Sequence, residues 1–192
     1  MHNAALRCME DLVFMKQLHL FDQPDVILYH PGHFPELNEQ LLSFYEEKGA
    51  ELILIPGVYN SFLKQNEYNY YAPLLSKAGI SEDRLMDIPN RNEAKGVESV
   101  IHSAFEFLNS TPYRNVLLAG KSFFCRRFYL LSSLYASDDK VLDVLPLQDN
   151  REIVPEKWTL SEKGRARVLN EVEQLAYISN EKLSKQLEEM SK

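Results

Sequence analysis

Short apolar runs alternate along the chain with longer segments in which apolar residues recur every three or four positions. The short runs are typical of strands buried on both faces, and the longer segments predict amphipathic helices. Strands are predicted over residues 26–29, 52–55, 84–88, 116–119 and 141–145. Helices are predicted over residues 4–18, 35–48, 67–78, 90–108, 122–135 and 161–177, followed by a polar helical tail after Asn180.

This alternation predicts an α/β fold, in which a Rossmann-like parallel sheet of about five strands carries helices on both faces. Further helices are expected at the N- and C-terminal ends. No internal repeat or low-complexity linker divides the chain, so we predict a single domain over residues 1–192, with its core at about residues 25–177. With a strand order of 3-2-1-4-5, the first and fourth strands flank the crevice at the carboxyl edge of the sheet, where such folds bind ligands.

Composition narrows the range of partners. The 192 residues are 45% hydrophobic, enough for a core, and carry 21 basic against 28 acidic side chains, a net charge of −7. This balance opposes a nucleic-acid coat or an anionic-membrane binder, since both need a positive surface. The two cysteines, Cys8 and Cys125, form no CxxC motif and are typical of a reducing compartment. No apolar segment approaches the roughly 20 residues of a membrane span, and no signal-peptide core is present, so we expect a soluble, cytoplasmic protein.

The loop after the fourth predicted strand combines the features of an anion site. Gly120 permits a close turn, Lys121 supplies a positive charge, and Ser122 is a candidate N-cap for the next helix. Arg126 and Arg127 follow one turn later. Free N–H groups and the positive end of a helix favour anions, and guanidinium groups recognise phosphate or carboxylate. The alternative is a pair of surface arginines bonded to acidic neighbours.

The loop after the first strand contains His30, Gly32 and His33. Histidine titrates near neutral pH and this loop lies at the predicted crevice, so both histidines are candidates for catalysis or ligand contact. The alternative is a turn with one buried and one exposed histidine. Pro31 and Gly32 break any helix that would align the pair on a metal, and no third ligand is near, so we predict no metal site.

Residues 90–93 open the predicted third crossover helix with an Asn-Arg-Asn-Glu sequence. Arg91 is a further candidate cation for the crevice, whereas helix capping alone explains the asparagines, Asn92 included. The chain contains no GxGxxG fingerprint, Walker lysine loop or nucleophile elbow. This opposes a standard dehydrogenase or P-loop enzyme.

The order of these motifs resembles the YdcF/SanA/ElyC family of bacterial proteins over roughly residues 25–177. The segments that carry the resemblance are the opening strand from Asp25, the second strand ending at Gly57, the acidic Glu67, residues 78–85, the Lys-x-aromatic-x-x-Arg-Arg pattern of residues 121–127, and the closing helix at residues 170–175. Two motifs depart from the family. Only Asn92 remains of its Asn-Thr-x-Glu-Asn motif, and the first loop has His30 and Pro31 before a single glycine.

The resemblance implies a YdcF-like domain with a Rossmann-like fold and no established reaction, and one family member is thought to bind S-adenosylmethionine. Envelope-associated members carry membrane anchors that this chain lacks. A typical methyltransferase has an acidic residue at the end of its second strand, where this chain has Pro56 and Gly57. A phosphorylated or nucleotide-like metabolite therefore fits the basic residues better than S-adenosylmethionine does.

We therefore expect a protein that binds an anionic, nucleotide-like small molecule, with S-adenosylmethionine as another candidate ligand, and that acts as a hydrolase or transferase. The residues expected to contact the ligand are Gly32, Gly57, Arg91, Asn92, Gly120, Lys121, Ser122, Arg126 and Arg127. His30, His33 and Glu67 are the candidates for proton transfer. The alternative is a non-catalytic sensor or adaptor linked to bacterial envelope physiology, whose partner surface includes the C-terminal helix.

Overall fold

The computed structural model describes residues 4–88 and 96–191, apart from the side chain of Gln186. The strands are β1 (Val26–His30), β2 (Leu52–Ile55), β3 (Tyr59–Asn60), β4 (Gln65–Asn66), β5 (Leu85–Asp87), β6 (Asn115–Lys121) and β7 (Val141–Leu147). Five of them form an all-parallel sheet in the order β5-β2-β1-β6-β7. The predicted fold class is confirmed, and the strand order is the one assumed for the crevice.

The helices are α1 (Ala4–Val13), α2 (Leu37–Lys48), α3 (Glu67–Lys77), α4 (Val97–Leu108), α5 (Cys125–Tyr135), α6 (Glu162–Ile178) and α7 (Ser184–Met190). They enclose two hydrophobic clusters, one on each face of the sheet. Along β1, Val26 and Leu28 belong to the cluster with Phe105 of α4 and Phe128 of α5. Ile27 belongs to the opposite cluster, with Leu41 of α2 and Tyr71 of α3. Because successive strand side chains point to opposite faces, an apolar run such as β1 supplies both clusters.

The N-terminal helix is shorter than the apolar pattern predicts. It ends at Val13 rather than at Leu18. The backbone N–H groups of Leu18 and Leu20 donate to the carboxylate of Asp143 in β7, at 2.7 and 3.2 Å. Those bonds hold residues 18–20 beside β7, outside helical geometry.

Two other features differ from the sequence pattern. The antiparallel pair of β3 and β4 was not predicted, because strands of two residues carry no readable periodicity. Ser122 begins a 3₁₀ turn over Ser122–Phe124 rather than an α-helix, and α5 starts at Cys125. The first part of the predicted 90–108 helix lies outside the described residues. Among those described, no helix is long and apolar enough to cross a membrane.

Candidate functional site

A cavity and an adjoining groove lie where β1, β6 and β7 end. His30 of β1 pairs in register with Gly120 of β6, and Lys121 pairs with Leu147 of β7, so the loops that follow these strands meet at one edge. The inner cavity, of about 180 Å³, is lined by His30, His33, Phe34, Val97, Lys121, Phe123, Phe124, Arg127, Arg151, Arg167 and Glu171. The outer groove, of about 620 Å³, shares His33, Phe34, Arg151 and Arg167 with it and adds Phe62, Asn150, Ile153, Lys163, Ala166 and Asn170.

Lys121 ends β6 with its ammonium group in the inner cavity. The group lies directly over Gly32, where a Cβ atom would come within 2.8 Å of Nζ, and 5.1 Å from the centre of the Phe34 ring. Gly32 has a φ of 65°, a conformation that glycine adopts without strain. In residues 4–88 and 96–191 no carboxylate forms an ion pair with Lys121. Burial, together with the nearby charge of Arg151, lowers the pKa of Lys121 to about 8.

Three arginines surround this ammonium group. The guanidinium of Arg151, 4.1 Å from the centre of the Phe34 ring, is held by Asp149, and Arg127 donates to both carboxylate oxygens of Glu171 at 2.7 and 3.0 Å. Arg167 projects from α6 to 5.5 Å from the centre of the Phe123 ring and has no ion-pair partner within the described part of the chain. The inner cavity is lined by these four cations and one carboxylate, that of Glu171, while Glu67 and Asp149 act on Lys121 from outside the lining. The cavity therefore has a positive balance.

The histidine at the end of β1 is held in its neutral form. The ring of His30 packs against Phe124 and Phe128, with centroid distances of 5.3 and 6.0 Å. Its Nδ1 atom is buried and has no hydrogen-bond partner among the described residues. Burial, and then the charge of Lys121, lower the pKa of His30 to about 3. At neutral pH this imidazole is an uncharged wall of the cavity and a weak base.

His33 occupies the boundary between the inner cavity and the outer groove. Its ring lies between those of Phe34 and Phe62, with centroid distances of 4.1 and 4.2 Å. Burial and the charge of Lys121 lower its pKa below the ordinary histidine value. Both histidines are half-buried and both line the inner cavity, so the expected alternative of one buried and one exposed histidine is not found.

Glu67 is buried at the start of α3. Asn60 donates to its Oε1 atom at 2.8 Å, whereas Oε2 has no partner within the described residues. Burial raises the pKa of Glu67 to about 7, although the Asn60 bond and the charge of Lys121 oppose the rise. One turn further along α3, Tyr71 donates to the carbonyl of Gly32 at 3.1 Å. Glu67 is therefore coupled to the cavity through charge, but it is not one of the lining residues.

Several predicted ligand contacts lie elsewhere. Arg126 turns away from the cavity, and its Nη2 donates to the carbonyl of Asp11 on α1 at 3.1 Å. The hydroxyl of Ser122 caps no helix, because it donates to the carbonyl of Ile153 at 2.9 Å. Gly57 follows β2, where a Cβ would lie 3.3 Å from Oδ2 of Asp87 and from the Ile88 carbonyl, outside the cavity lining.

Gly120 allows a close approach of aromatic rings rather than of a ligand. A Cβ atom there would lie 3.4 Å from ring atoms of Phe124 and Phe128. The remaining predicted contacts, Arg91 and Asn92, lie outside the described residues. Of the predicted cations that can be located, Lys121 and Arg127 are therefore brought together and Arg126 is not.

The predicted contact residues did not include three that line the site, namely Arg151, Arg167 and Phe62. Arg151 follows β7, so its place in a loop at the carboxyl edge of the sheet was a usable signal. Arg167 and Glu171 stand four residues apart on α6 and share one face of that helix. Nothing in the sequence indicated that this face closes over β6.

Comparison of the chain with protein-family models, with curated proteins and with solved structures found no match. Across residues 4–88 and 96–191, no group of three or more histidine, cysteine, aspartate or glutamate side chains is arranged to hold a metal ion.

Proposed function

We propose that this protein binds an anionic, nucleotide-like small molecule whose phosphate group occupies the inner cavity. The observation that carries the proposal is the ammonium group of Lys121, which is half-buried and lacks an ion-pair partner among the described residues. A buried charge without a partner destabilises a fold. A bound anion supplies such a partner, so the half-buried charge of Lys121 favours its binding.

Arg151 and Arg167 extend the same interaction. Each presents a planar set of N–H donors that matches the oxygens of phosphate, and Arg167 has no carboxylate partner in the described part of the chain. Arg127 contributes less to binding, because both its bonds to Glu171 hold it in place. S-adenosylmethionine fits less well than a phosphate ester, because its sulfonium cation would face these positive groups.

A hydrolase or transferase role requires a group that exchanges a proton near neutral pH. Of the three candidates, Glu67 meets this condition, with a pKa of about 7. His30, with a pKa of about 3, does not, and burial lowers the pKa of His33 below its ordinary value. We propose Glu67 as the proton-transfer group if the protein is an enzyme, acting on a ligand whose phosphate is held by Lys121.

Binding without turnover, as in a sensor or adaptor, is the second candidate. It is favoured by the position of Glu67, which does not line the inner cavity. Release of phosphate from AMP by the wild-type protein, lost in Glu67→Gln, would support the enzyme. Saturable binding of AMP with no release of phosphate would support the sensor.

The anion site is tested by titrating the protein with ribose 5-phosphate and with AMP. Lys121→Met should weaken both affinities roughly tenfold or more, because it removes a charge-assisted hydrogen bond to phosphate. The wild-type affinity should also fall as the pH rises above about 8, where Lys121 loses its proton. Lys121→Met should unfold at a higher temperature than wild type, since a half-buried charge is removed.

Arg126→Gln is the matched control, because it removes a cation five residues away that faces α1 instead of the cavity. It should leave both affinities unchanged. Equal binding by wild type and Lys121→Met, or no binding of either phosphate compound by wild type, would overturn the proposed function.

A further inference from the structure

The hairpin formed by β3 and β4 carries an exposed aromatic ring to the outer groove. Phe62, in the turn between the two strands, is 75% exposed. The turn is held in place, because the side chain of Asn60 accepts a bond from the Phe62 N–H at 3.0 Å and donates another to Glu67. An aromatic ring held in place beside a cavity can stack on a flat ring of a ligand.

Phe62 is the outermost member of a stack of three rings, Phe34, His33 and Phe62. The rings of His33 and Phe62 are nearly parallel, at 23°, and those of His33 and Phe34 meet at 33°. The innermost ring, Phe34, lies under the cations Lys121 and Arg151. The stack therefore runs without a break from the proposed phosphate site to the outer groove.

We propose that the outer groove binds a planar aromatic ring belonging to the same ligand, so that the ligand is a nucleotide whose base stacks on Phe62. This inference rests on the proposed function, because the phosphate in the inner cavity fixes where the rest of the ligand extends. The groove, of about 620 Å³, falls within the range of small-molecule sites. Asn150 and Asn170 line it, and their amides can donate to and accept from a base or ribose.

Stacking of a base on an aromatic side chain tolerates every base, because each base has a π-face. The stack alone therefore predicts a preference for nucleotides over sugar phosphates and no preference among bases. A sugar phosphate would satisfy the cations and leave Phe62 in contact with water.

The test compares AMP with ribose 5-phosphate, which lacks only the base. Wild type should bind AMP roughly tenfold more tightly than ribose 5-phosphate, by the stacking contribution. Phe62→Ala should abolish this difference, because it should weaken the binding of AMP and leave that of ribose 5-phosphate unchanged. Tyr59→Ala is the matched control, because Tyr59 lies in the same hairpin, is 71% exposed and does not line the groove. It should keep the wild-type difference.

A second variant, Phe62→Trp, reports contact directly. The only natural tryptophan, Trp158, is buried, so a new exposed indole dominates the change in fluorescence. AMP should quench it and ribose 5-phosphate should not.

Four results would overturn the base site. The first is an equal wild-type affinity for the two compounds, and the second is an equal weakening of both affinities by Phe62→Ala. The third is fluorescence of Phe62→Trp that AMP leaves unchanged. The fourth is a dimer that Phe62→Ala dissociates without changing the affinity for AMP. In each of these cases the proposed phosphate site is still supported if the affinity for ribose 5-phosphate depends on Lys121. Failure of both compounds to bind wild type overturns the proposed function, and the base site with it.

Discussion

Burial moves the pKa of both Lys121 and Glu67 toward neutrality. The ammonium group of Lys121 has a pKa of about 8 and the carboxyl group of Glu67 one of about 7. Each group would be more stably charged in water, so each weakens the fold at neutral pH. Groups that oppose folding in this way concentrate at functional sites, because a ligand or a proton transfer uses them.

Glu67→Gln should remove a pH dependence from the stability of the protein. The ordinary pKa of the group is 4.5 and the folded value is about 7, so between these values the folded state binds a proton that the unfolded chain has released. The contribution of Glu67 to the free energy of unfolding of the wild type is therefore fully present below pH 4.5 and is lost as the pH rises through 7. Glutamine keeps an Oε1 acceptor for Asn60 and carries no charge. The variant should match wild type near pH 4 and exceed it by about 3 kcal/mol at pH 8.

The measurement is denaturant unfolding of both proteins across this pH range. Glu173→Gln, at an exposed position on α6, is the control and should show no such trend. A constant difference between Glu67→Gln and wild type at all pH values would contradict the raised pKa of Glu67.

At the scale of the element, α5 and α6 are joined by the ion pair of Arg127 and Glu171. The Glu171 side chain is 1% exposed and that of Arg127 is 15% exposed. This pair also positions α6, and with it Arg167, over the end of β6. Burial raises the pKa of Glu171 and outweighs the charge of Arg127, which lowers it.

Arg127→Met should lower the free energy of unfolding by about 3–5 kcal/mol, because it leaves the buried carboxylate of Glu171 without its partner. Adding Glu171→Met should restore most of that loss, since the unpaired charge is then gone. Denaturant unfolding of the single and double variants measures both effects. Lys185→Met breaks an exposed pair with Glu181 on the C-terminal helices and should cost less than about 1 kcal/mol. A double variant no more stable than Arg127→Met would contradict this account.

At the scale of the whole molecule, the N-terminal segment is attached to the sheet through one buried side chain. Asp143 of β7 is fully buried and accepts bonds from the N–H groups of Leu18, Leu20 and Val144. Trp158 and Arg126 reinforce the attachment by donating to Glu10 and Asp11 of α1. The helix outside the predicted core is therefore part of the packed structure.

Asp143→Ala should destabilise the protein by about 3 kcal/mol, because the buried N–H group of Val144 and the part-buried ones of Leu18 and Leu20 lose a charged acceptor. Amide hydrogen exchange should also accelerate at Leu18 and Leu20. Asp138→Ala, at an exposed position, should change neither quantity. Unaltered exchange at Leu18 and Leu20 in Asp143→Ala would show that the segment is held by other contacts.

The arrangement of helices and strands could be predicted because it depends on local patterns. Continuous apolar runs at β1, β2 and β6 predict strands covered on both faces, and the amphipathic segments between them predict crossover helices. The predicted length of a helix was wrong where a residue distant in sequence decides where the helix ends. Leu18 has helical spacing with the residues of α1, yet Asp143 lies 125 positions away and draws its N–H group into a non-helical bond.

The sequence by itself determined an α/β fold with a parallel sheet, and it located the carboxyl edge with Lys121 on it. Only the tertiary structure decided which charges meet there. Arg126 and Arg127 are neighbours, but successive helical residues diverge by about 100°, so one faces α1 and the other Glu171. Arg151 and Arg167 reach Lys121 because β7 and α6 pack beside β6. Side-chain direction and helix packing depend on contacts distant in sequence, which local patterns do not encode.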